Sequence, residues 1–363
     1  MRILFSTYPL AFQNPGGGEG VLQSLRQGLI ALGHSVEVYS PWKIHENDLK
    51  LFDIIHYFSS IEISFWKFLK THAPQTPLVV TPTLNVKKGI WSKARYQTKS
   101  TWQRLSNEGC PNDLPDFWLP TTQIEADSLV DYLRINSSKM SVLSNGVDRR
   151  FSQSSPLLFN NQIQTRGPFL LHVGRFHPVK NHLVLIEAIK RSRLSAVFIG
   201  SPNTEHLSYY EECRLRALEA ERSDPTGQTK ILLLTDINHQ DPLLPSAYRA
   251  ASAFALPSQF ETFGIAALEA AVSELPLVLT KTIASYDLFK SFSRFVDPNN
   301  IEDLSVQLQE AIHEKDNPVY QKQRAIQARL LMDDYDWNTI TKSLEKIYRE
   351  FRKDRTQCQK VDT

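Results

Sequence analysis

The 363-residue sequence predicts an α/β protein built of two doubly wound, Rossmann-like domains that face each other across a cleft. Three observations predict it. Short apolar runs alternate with longer segments of helical period, which is the pattern of βαβ units and parallel sheets. That alternation runs through the first half of the chain and then restarts. Between the two sets lies a polar stretch, "SSPLLFNNQIQTRG" from Ser154 to Gly167, which reads as a linker. The expected domains are therefore 1–155 and 156–335, and chain length alone favours two cores over one.

The first domain opens with strand "RILFST", followed by helix "GVLQSLRQGLIALG", which Gly33 caps at its C-terminus. Strands "SVEVYS", "DIIHYF", "PLVVT" and "DFWLPT" continue it, then helix "TQIEADSLVDYLRI" and a last strand "MSVLS". The second domain runs through strands "PFLLHVG", "SAVFIG", "KILLLT", "AFALPS" and "PLVLT", each followed by a helical stretch. The tail "YDWNTITKSLEKIYREF" is an amphipathic helix with Ile340, Leu344, Ile347 and Phe351 on one face.

Composition closes off several functions. Net charge is +2, so no global attraction to nucleic acid is indicated. Cys110, Cys213 and Cys358 are scattered with no C-x-x-C pair, which fits a reducing compartment and argues against a disulfide framework or a zinc site. The start "MRILFSTYPL" reads as a strand rather than a signal peptide. No run of about 18 apolar residues offers a membrane span. The expected location is cytoplasmic. One segment adds a qualification: 86–107 carries Lys87, Lys88, Lys93, Arg95, Lys99 and Arg104, with Trp91, Tyr96 and Trp102 interleaved and no acidic residue. Basic and aromatic residues so mixed predict peripheral contact with the anionic inner face of a membrane. A solvated helix face or a site for an anionic acceptor are the competing readings.

Ligands of open α/β sheets bind beyond the carboxyl ends of the strands, so function is sought in the loops there. In "SQFETFGIAALEAA", Ser258 to Ala271, Glu261 falls in the loop after a strand and Gly264 at the start of the next helix. Glycine there lets a ligand approach the backbone. The free N–H groups of a helix start suit a phosphate, with Phe263 and Ile265 flanking the approach. Glu269 lies further into the helix, where a carboxylate accepts from both hydroxyls of a ribose. The blander reading is a capped amphipathic helix with solvated carboxylates. In "HVGRFHPVKN", Arg175 and Lys180 occupy a loop after another strand, the first as a phosphate-matching fork and the second as a compact charge. Gly16, Gly17 and Gly18 in "YPLAFQNPGGGEG" come too late after their strand for a dinucleotide fingerprint and read as a flexible loop lining the cleft. His56 and His172 read as structural strand histidines. Asp334 and Asp336 form the sequence's D-x-D, but they precede a helix and read as helix-start charge. Asn145 and Asp148 read as turn residues.

The stretches "GGGEGVLQSLRQGLIALGHSVEVYS", "LSNGVD", "HVGRFHPVKN" and the E-T-F-G-x4-E run from Glu261 to Glu269 occur in this order. Together they resemble the group 1 glycosyltransferases, retaining family 4, of GT-B architecture, and the resemblance extends from Met1 to about Phe351. It implies a retaining transferase of the hexosyltransferase type. Such an enzyme moves a sugar from a nucleotide-diphospho-sugar, UDP- or GDP-linked, to a glycan, lipid-linked or small-molecule acceptor, as in polysaccharide biosynthesis. By the same resemblance Arg175 and Lys180 would hold the diphosphate, Glu261 would stand beside the transferred sugar and Glu269 would take the ribose. Gly264, Phe263, Ile265 and Gly16 to Gly18 would complete the donor side. The helix 336–352 would pack back on the N-terminal domain, which takes the acceptor. No metal and no cofactor are expected beyond the nucleotide-sugar co-substrate, because Arg175 and Lys180 supply the positive charge.

The sequence also departs from the family pattern. Pro82 in "VVTPTLN" stands where the family often has a histidine. Glu274 in "VSELPLVL" stands at a position the family fills with glycine or another small residue, and "TKTIASYD" lacks the usual glycine. Two alternatives stand beside the transferase: a nucleotide-sugar epimerase, which shares the GT-B architecture, and a nucleotide-sugar-binding protein without turnover, which Pro82 favours and Glu261 argues against.

Overall fold

A computed structural model of the chain describes residues 1–8, 16–58, 63–82, 114–165 and 167–361, with side chains to 352. It divides into two units, one of Met1–Gly146 with the chain from Trp337 on, the other Val147–Asp336.

The N-terminal unit contains β1 (Arg2–Thr7), α1 (Gly17–Ala31), β2 (Ser35–Val38), β3 (Ile54–Phe58), α2 (Ile63–His72), β4 (Leu78–Thr81), β5 (Phe117–Trp118) and α3 (Gln123–Leu133). Its strands pair in the order β2-β1-β3-β4-β5, all parallel. The apolar runs read from the sequence are these buried strands: every residue of β3 is buried, and Leu4, Ile55, Tyr57, Trp66, Val80 and Trp118 share one core. The expected strand "MSVLS" is not a strand. Met140 makes a single bridge to Trp118, and Leu143 N–H then reaches the carbonyl of Pro120. Pro120 has no N–H to return, so the ladder goes no further.

The C-terminal unit contains α4 (Arg150–Gln153), α5 (Leu157–Gln162), β6 (Phe169–Val173), α6 (His182–Ser192), β7 (Ser195–Ile199), α7 (Leu207–Ser223) and β8 (Ile231–Leu234). It continues through α8 (Leu243–Ala250), β9 (Ala253–Leu256), α9 (Ile265–Val272), β10 (Leu277–Thr280), α10 (Tyr286–Phe289), β11 (Arg294–Val296), α11 (Ile301–Glu314) and α12 (Pro318–Tyr335). The sheet runs β11-β10-β9-β6-β7-β8, all parallel. From β6 the chain winds outward through β7 and β8, then returns to the other side of β6 with β9. The strand order therefore reverses between β6 and β9, and the crevice at such a reversal is where doubly wound sheets bind ligands.

The seam falls before the polar stretch that suggested 155/156. Phe151 and Phe159 are fully buried in the C-terminal core, and the Phe159 N–H donates to Ser246 Oγ at 2.9 Å. The short helices α4, just before the polar stretch, and α5, within it, are thus claimed by the second unit. The chain leaves that unit at Asp336 and ends in α13 (Trp337–Val361), which belongs to the N-terminal unit and packs on α1. Ile340 and Leu344 are buried there as their period requires. Tyr348, one turn further along the same face, is fully buried too, while Ile347 and Phe351 are half-buried.

Among the described residues no helix is long and apolar enough to cross a membrane. The basic and aromatic stretch 86–107 lies outside the described residues.

Candidate active site

The loop after β6 carries Arg175 and Lys180, and the loop after β9 carries Glu261. Because β6 and β9 are adjacent, the two loops meet at the strand-order reversal. Lys180 Nζ lies 2.5 Å from Glu261 Oε1, and Ser258 Oγ donates to the same oxygen at 2.7 Å. Glu261 is buried, while a quarter of the Lys180 side chain is exposed. A buried carboxylate needs such partners to remain charged. Both recorded bonds fall on Oε1.

The loops are held rigidly. Gly174 N–H donates to Ile199 O at 2.9 Å and Phe176 N–H to Ser201 O at 3.0 Å, laying the Arg175 turn along the end of β7. Only glycine fits at 200, since a Cβ there would lie 2.1 Å from the Gly174 carbonyl oxygen. Asn181, with φ +63°, donates from Nδ2 to Pro257 O at 3.0 Å and Pro298 O at 2.6 Å, so the lysine loop is tied to the β9 loop. Gln259 N–H closes the tie on Val179 O at 2.8 Å. Arg175 is half-buried in the same turn as Lys180.

Gly264 precedes α9 with φ +78°, a left-handed conformation that glycine adopts without penalty. A Cβ there would also stand 2.7 Å from Ile283 Cδ1. Ala284 N–H donates to Glu261 O at 2.8 Å, and Ser285 Oγ to Phe263 O. The glycine-free "TKTIASYD" stretch therefore braces the Glu261 loop instead of leaving it open. Phe263 is buried and Ile265 half-buried on either side of Gly264.

Glu269 lies within α9 in a separate network. Its Oε1 is 2.8 Å from His239 Nε2, and its Oε2 accepts from Tyr248 O–H at 2.8 Å. Burial, then the neighbouring carboxylate, pushes the Tyr248 phenol well up, so it stays a donor. His239 and Tyr248 come from the β8–α8 loop and from α8, so spacing along the chain could not find them. Ser258 and Asn181 lie within the two quoted stretches, and only the fold shows what they bind.

Behind the lysine loop, His172 and His182 pack edge to face with ring centres 4.7 Å apart. Burial pushes His172 down to about 4 and His182 well below its ordinary value. His172 Nδ1 is bonded to Ala255 O at 2.9 Å, while its Nε2 has no partner among the described residues. Burial also lowers His177, which flanks Arg175, helped by neighbouring His206 and Arg175.

The glycine segment of the N-terminal unit differs from the expected flexible loop. Gly16 caps α1, and Gly17 and Gly18 form its first turn. Buried Glu19 accepts from Gly16 N–H at 2.7 Å and from the Tyr8 hydroxyl, which makes a helix start of this segment. His56 is structural, with Nδ1 on Tyr348 O–H at 2.5 Å and Nε2 on Thr81 Oγ1 at 2.8 Å. The D-x-D carboxylates do not act together. Asp336 is buried on Arg149 Nε at 2.6 Å, and Asp334 is exposed on α12. Glu274 holds φ +62°, the backbone a glycine would favour. Pro82 follows β4 directly and is buried. Among the described residues no cluster of three or more His, Cys, Asp or Glu side chains could hold a metal ion.

Two parallel doubly wound units, with a cation-and-carboxylate site at the reversal of the second sheet, define a GT-B type of protein. Its likeness to solved structures is consistent with that class. HepE of Anabaena in complex with UDP superposes with a TM-score of 0.72 at 15% identity, over 96% of this chain and 100% of that one. Residues 156–328 match the family described as "Glycosyl transferases group 1". The mannosylfructose-phosphate synthase of Agrobacterium fabrum is 26% identical over 286 residues, which is 70% of this chain and 60% of that protein. The O-antigen chain mannosyltransferase B of Escherichia coli is 25% identical over 230 residues, 61% of this chain and 56% of that protein. The matched residues all lie in the C-terminal unit, which is thus similar to the group 1 glycosyl transferases.

Proposed function

We propose that the chain is a retaining glycosyltransferase that takes a hexose from a nucleotide-diphospho-sugar. The observation that carries this reading is the meeting of Lys180 and Glu261 beside the Gly264 helix start, at the reversal of a parallel sheet. Breaking a sugar–diphosphate bond develops negative charge on the phosphate oxygens. Arg175, Lys180 and the free N–H groups of α9 are fixed positive groups able to meet that charge. Lys180 reaches a phosphate by leaving Glu261, and Ser258 keeps hold of the carboxylate as it goes. Glu261 is then an acceptor for the sugar's hydroxyls, and Glu269 the acceptor for the ribose. On this account the reaction needs no metal and no cofactor.

The donor is a UDP- or GDP-sugar. UDP has support from the HepE structures, which hold UDP and UDP-glucose. Two relatives named as a mannosyltransferase and a mannosylfructose-phosphate synthase support a hexose, and the O-antigen chain enzyme supports a growing glycan as acceptor. A cytoplasmic protein drawn to anionic membrane through 86–107 would meet a lipid-linked glycan there. Salt-sensitive flotation with anionic liposomes checks that location, and no flotation at low salt removes it.

The reaction is tested with a panel of UDP-, GDP- and ADP-sugars in EDTA. Slow release of nucleoside diphosphate and free sugar is the expected result. Activity that is absent in EDTA and restored by Mg²⁺ overturns the metal-free account. Interconversion of sugars would favour an epimerase, and binding with no turnover would favour the non-catalytic alternative that Pro82 suggests.

A further inference from the structure

The Glu269 network holds more than a ribose ligand needs. Tyr248 is fully buried and the Glu269 side chain is 5% exposed, whereas the His239 side chain is 44% exposed. Arg150, from the start of α4, places Nη2 3.2 Å from His239 Nδ1 and also donates to the His239 carbonyl. A guanidinium only donates, so Nδ1 accepts. The imidazole proton is therefore on Nε2, and Nε2 donates to Glu269 Oε1. Phe151 lies beside the ring with centres 5.9 Å apart and limits its tilt. A chain of donors, Arg150 to His239 to Glu269, is completed by Tyr248 on the other oxygen.

We propose that His239 is a positioning residue that turns Glu269 into a reader of a vicinal diol. An ionised carboxylate has about four lone-pair directions. One on each oxygen is taken, by His239 and by Tyr248, which fixes the carboxylate plane and leaves one acceptor direction on each oxygen. Two neighbouring acceptors of this kind match two neighbouring hydroxyls, so the site separates ribo- from 2′-deoxyribonucleotides. Without His239, Glu269 rotates about its terminal bond and one hydroxyl satisfies it as well as two. Ser258 does not perform the same service, because it acts on Glu261. The inference rests on the nucleotide-sugar reading given above.

Titration calorimetry with UDP, GDP and ADP, each against its 2′-deoxy counterpart, tests it. A hydrogen bond to a charged group is worth about 10-fold or more in affinity, so wild-type protein is expected to prefer the ribonucleotide by at least about that factor. His239→Ala should cut the preference to about 3-fold or less, as the loss of that one bond implies. Its affinity for inorganic pyrophosphate, a probe of the Arg175 and Lys180 end, should not change. His239→Gln, which keeps a donor at a similar reach, should restore the preference. Arg150→Met, which frees Nδ1 but keeps the imidazole, should weaken it less. An alanine variant with the wild-type preference overturns the inference. So does one that loses pyrophosphate binding or its fold, because the role is then structural. A wild-type protein that binds none of the nucleotides contradicts the proposed function instead.

Discussion

Both sheets bury polar side chains in or beside their central strands, and they use them differently. In the N-terminal unit His56 is fully buried, both ring nitrogens are bonded, and burial alone pushes its pKa down to about 3. It is a neutral group with nothing left to offer. In the C-terminal unit the corresponding groups are carboxylates, Glu261 and Glu269, each bonded by two donors and each able to accept more. Burial therefore does not mark a functional residue by itself. Hydrogen-bonding capacity left over after the protein has satisfied itself does.

The sharpest way to break the comparison is to remove function from one unit and stability from the other. Lys180→Ala is expected to lower kcat/KM by 100-fold or more, the loss of a fixed charge worth about 3–4 kcal/mol at the transition state. Arg175→Ala should behave alike. Glu269→Ala should raise the donor KM rather than lower kcat, since ribose is held in ground and transition states equally. Initial rates of nucleoside diphosphate release measure all three, and near-native rates in the Lys180 variant would break the assignment.

Acid should separate the units next. Free histidine titrates near 6.5, but folded His172 stays neutral down to about 4 and His182 to well below its ordinary value. The unfolded chain thus binds protons that the folded chain refuses. Stability is present above pH 6.5 and is lost as pH falls, by about 1.4 kcal/mol per pH unit for each such histidine. The C-terminal unit holds three lowered histidines, His172, His182 and His177, and the N-terminal unit one, His56. All six tryptophans fall in the N-terminal unit or in the segments of its chain. Far-UV circular dichroism is therefore expected to begin its loss at higher pH than tryptophan fluorescence. Coincident transitions would contradict the comparison.

His56→Phe tests the other half. It leaves Tyr348 O–H and Thr81 Oγ1 without a partner and is expected to cost about 1–3 kcal/mol of stability, with activity per folded molecule unchanged. Denaturant unfolding followed by tryptophan fluorescence measures the cost. A loss of turnover without a loss of stability would make His56 functional after all. The smallest effect should come from Glu274→Gly. Relief of the left-handed backbone at φ +62° is expected to stabilise the C-terminal unit by up to about 1 kcal/mol, with little change in the donor KM. A destabilised variant would show that the Arg249 contact to Glu274 outweighs the strain.

What was legible in the sequence follows the same division. The positions of Arg175, Lys180, Glu261 and Gly264 beyond the strand ends were legible because each lies in a loop or helix start directly after a strand, and that of Glu269 because it follows on the same helix. The strand order was not legible, since nothing local says that β9 returns to the far side of β6. His239 and Tyr248 were hidden for the same reason: they reach Glu269 from the β8–α8 loop and from α8. The seam was misplaced because Phe151 and Phe159 sit among polar neighbours, and two buried aromatics outweigh a polar average. Gly16 to Gly18 read as a loop because glycine disfavours helices, yet the Glu19 carboxylate caps them into one. His172 and His182 sit in a strand and at a helix start, and only packing shows that they share a buried site.

The central claim is that the C-terminal unit binds a nucleoside diphosphate through the loops after β6 and β9. Hydrogen exchange with and without saturating UDP, and then GDP, measures this most directly. New protection is expected in 174–181 and 258–265, with a smaller gain around His239. Saturated binding that leaves both loops exchanging as in the free protein would contradict it.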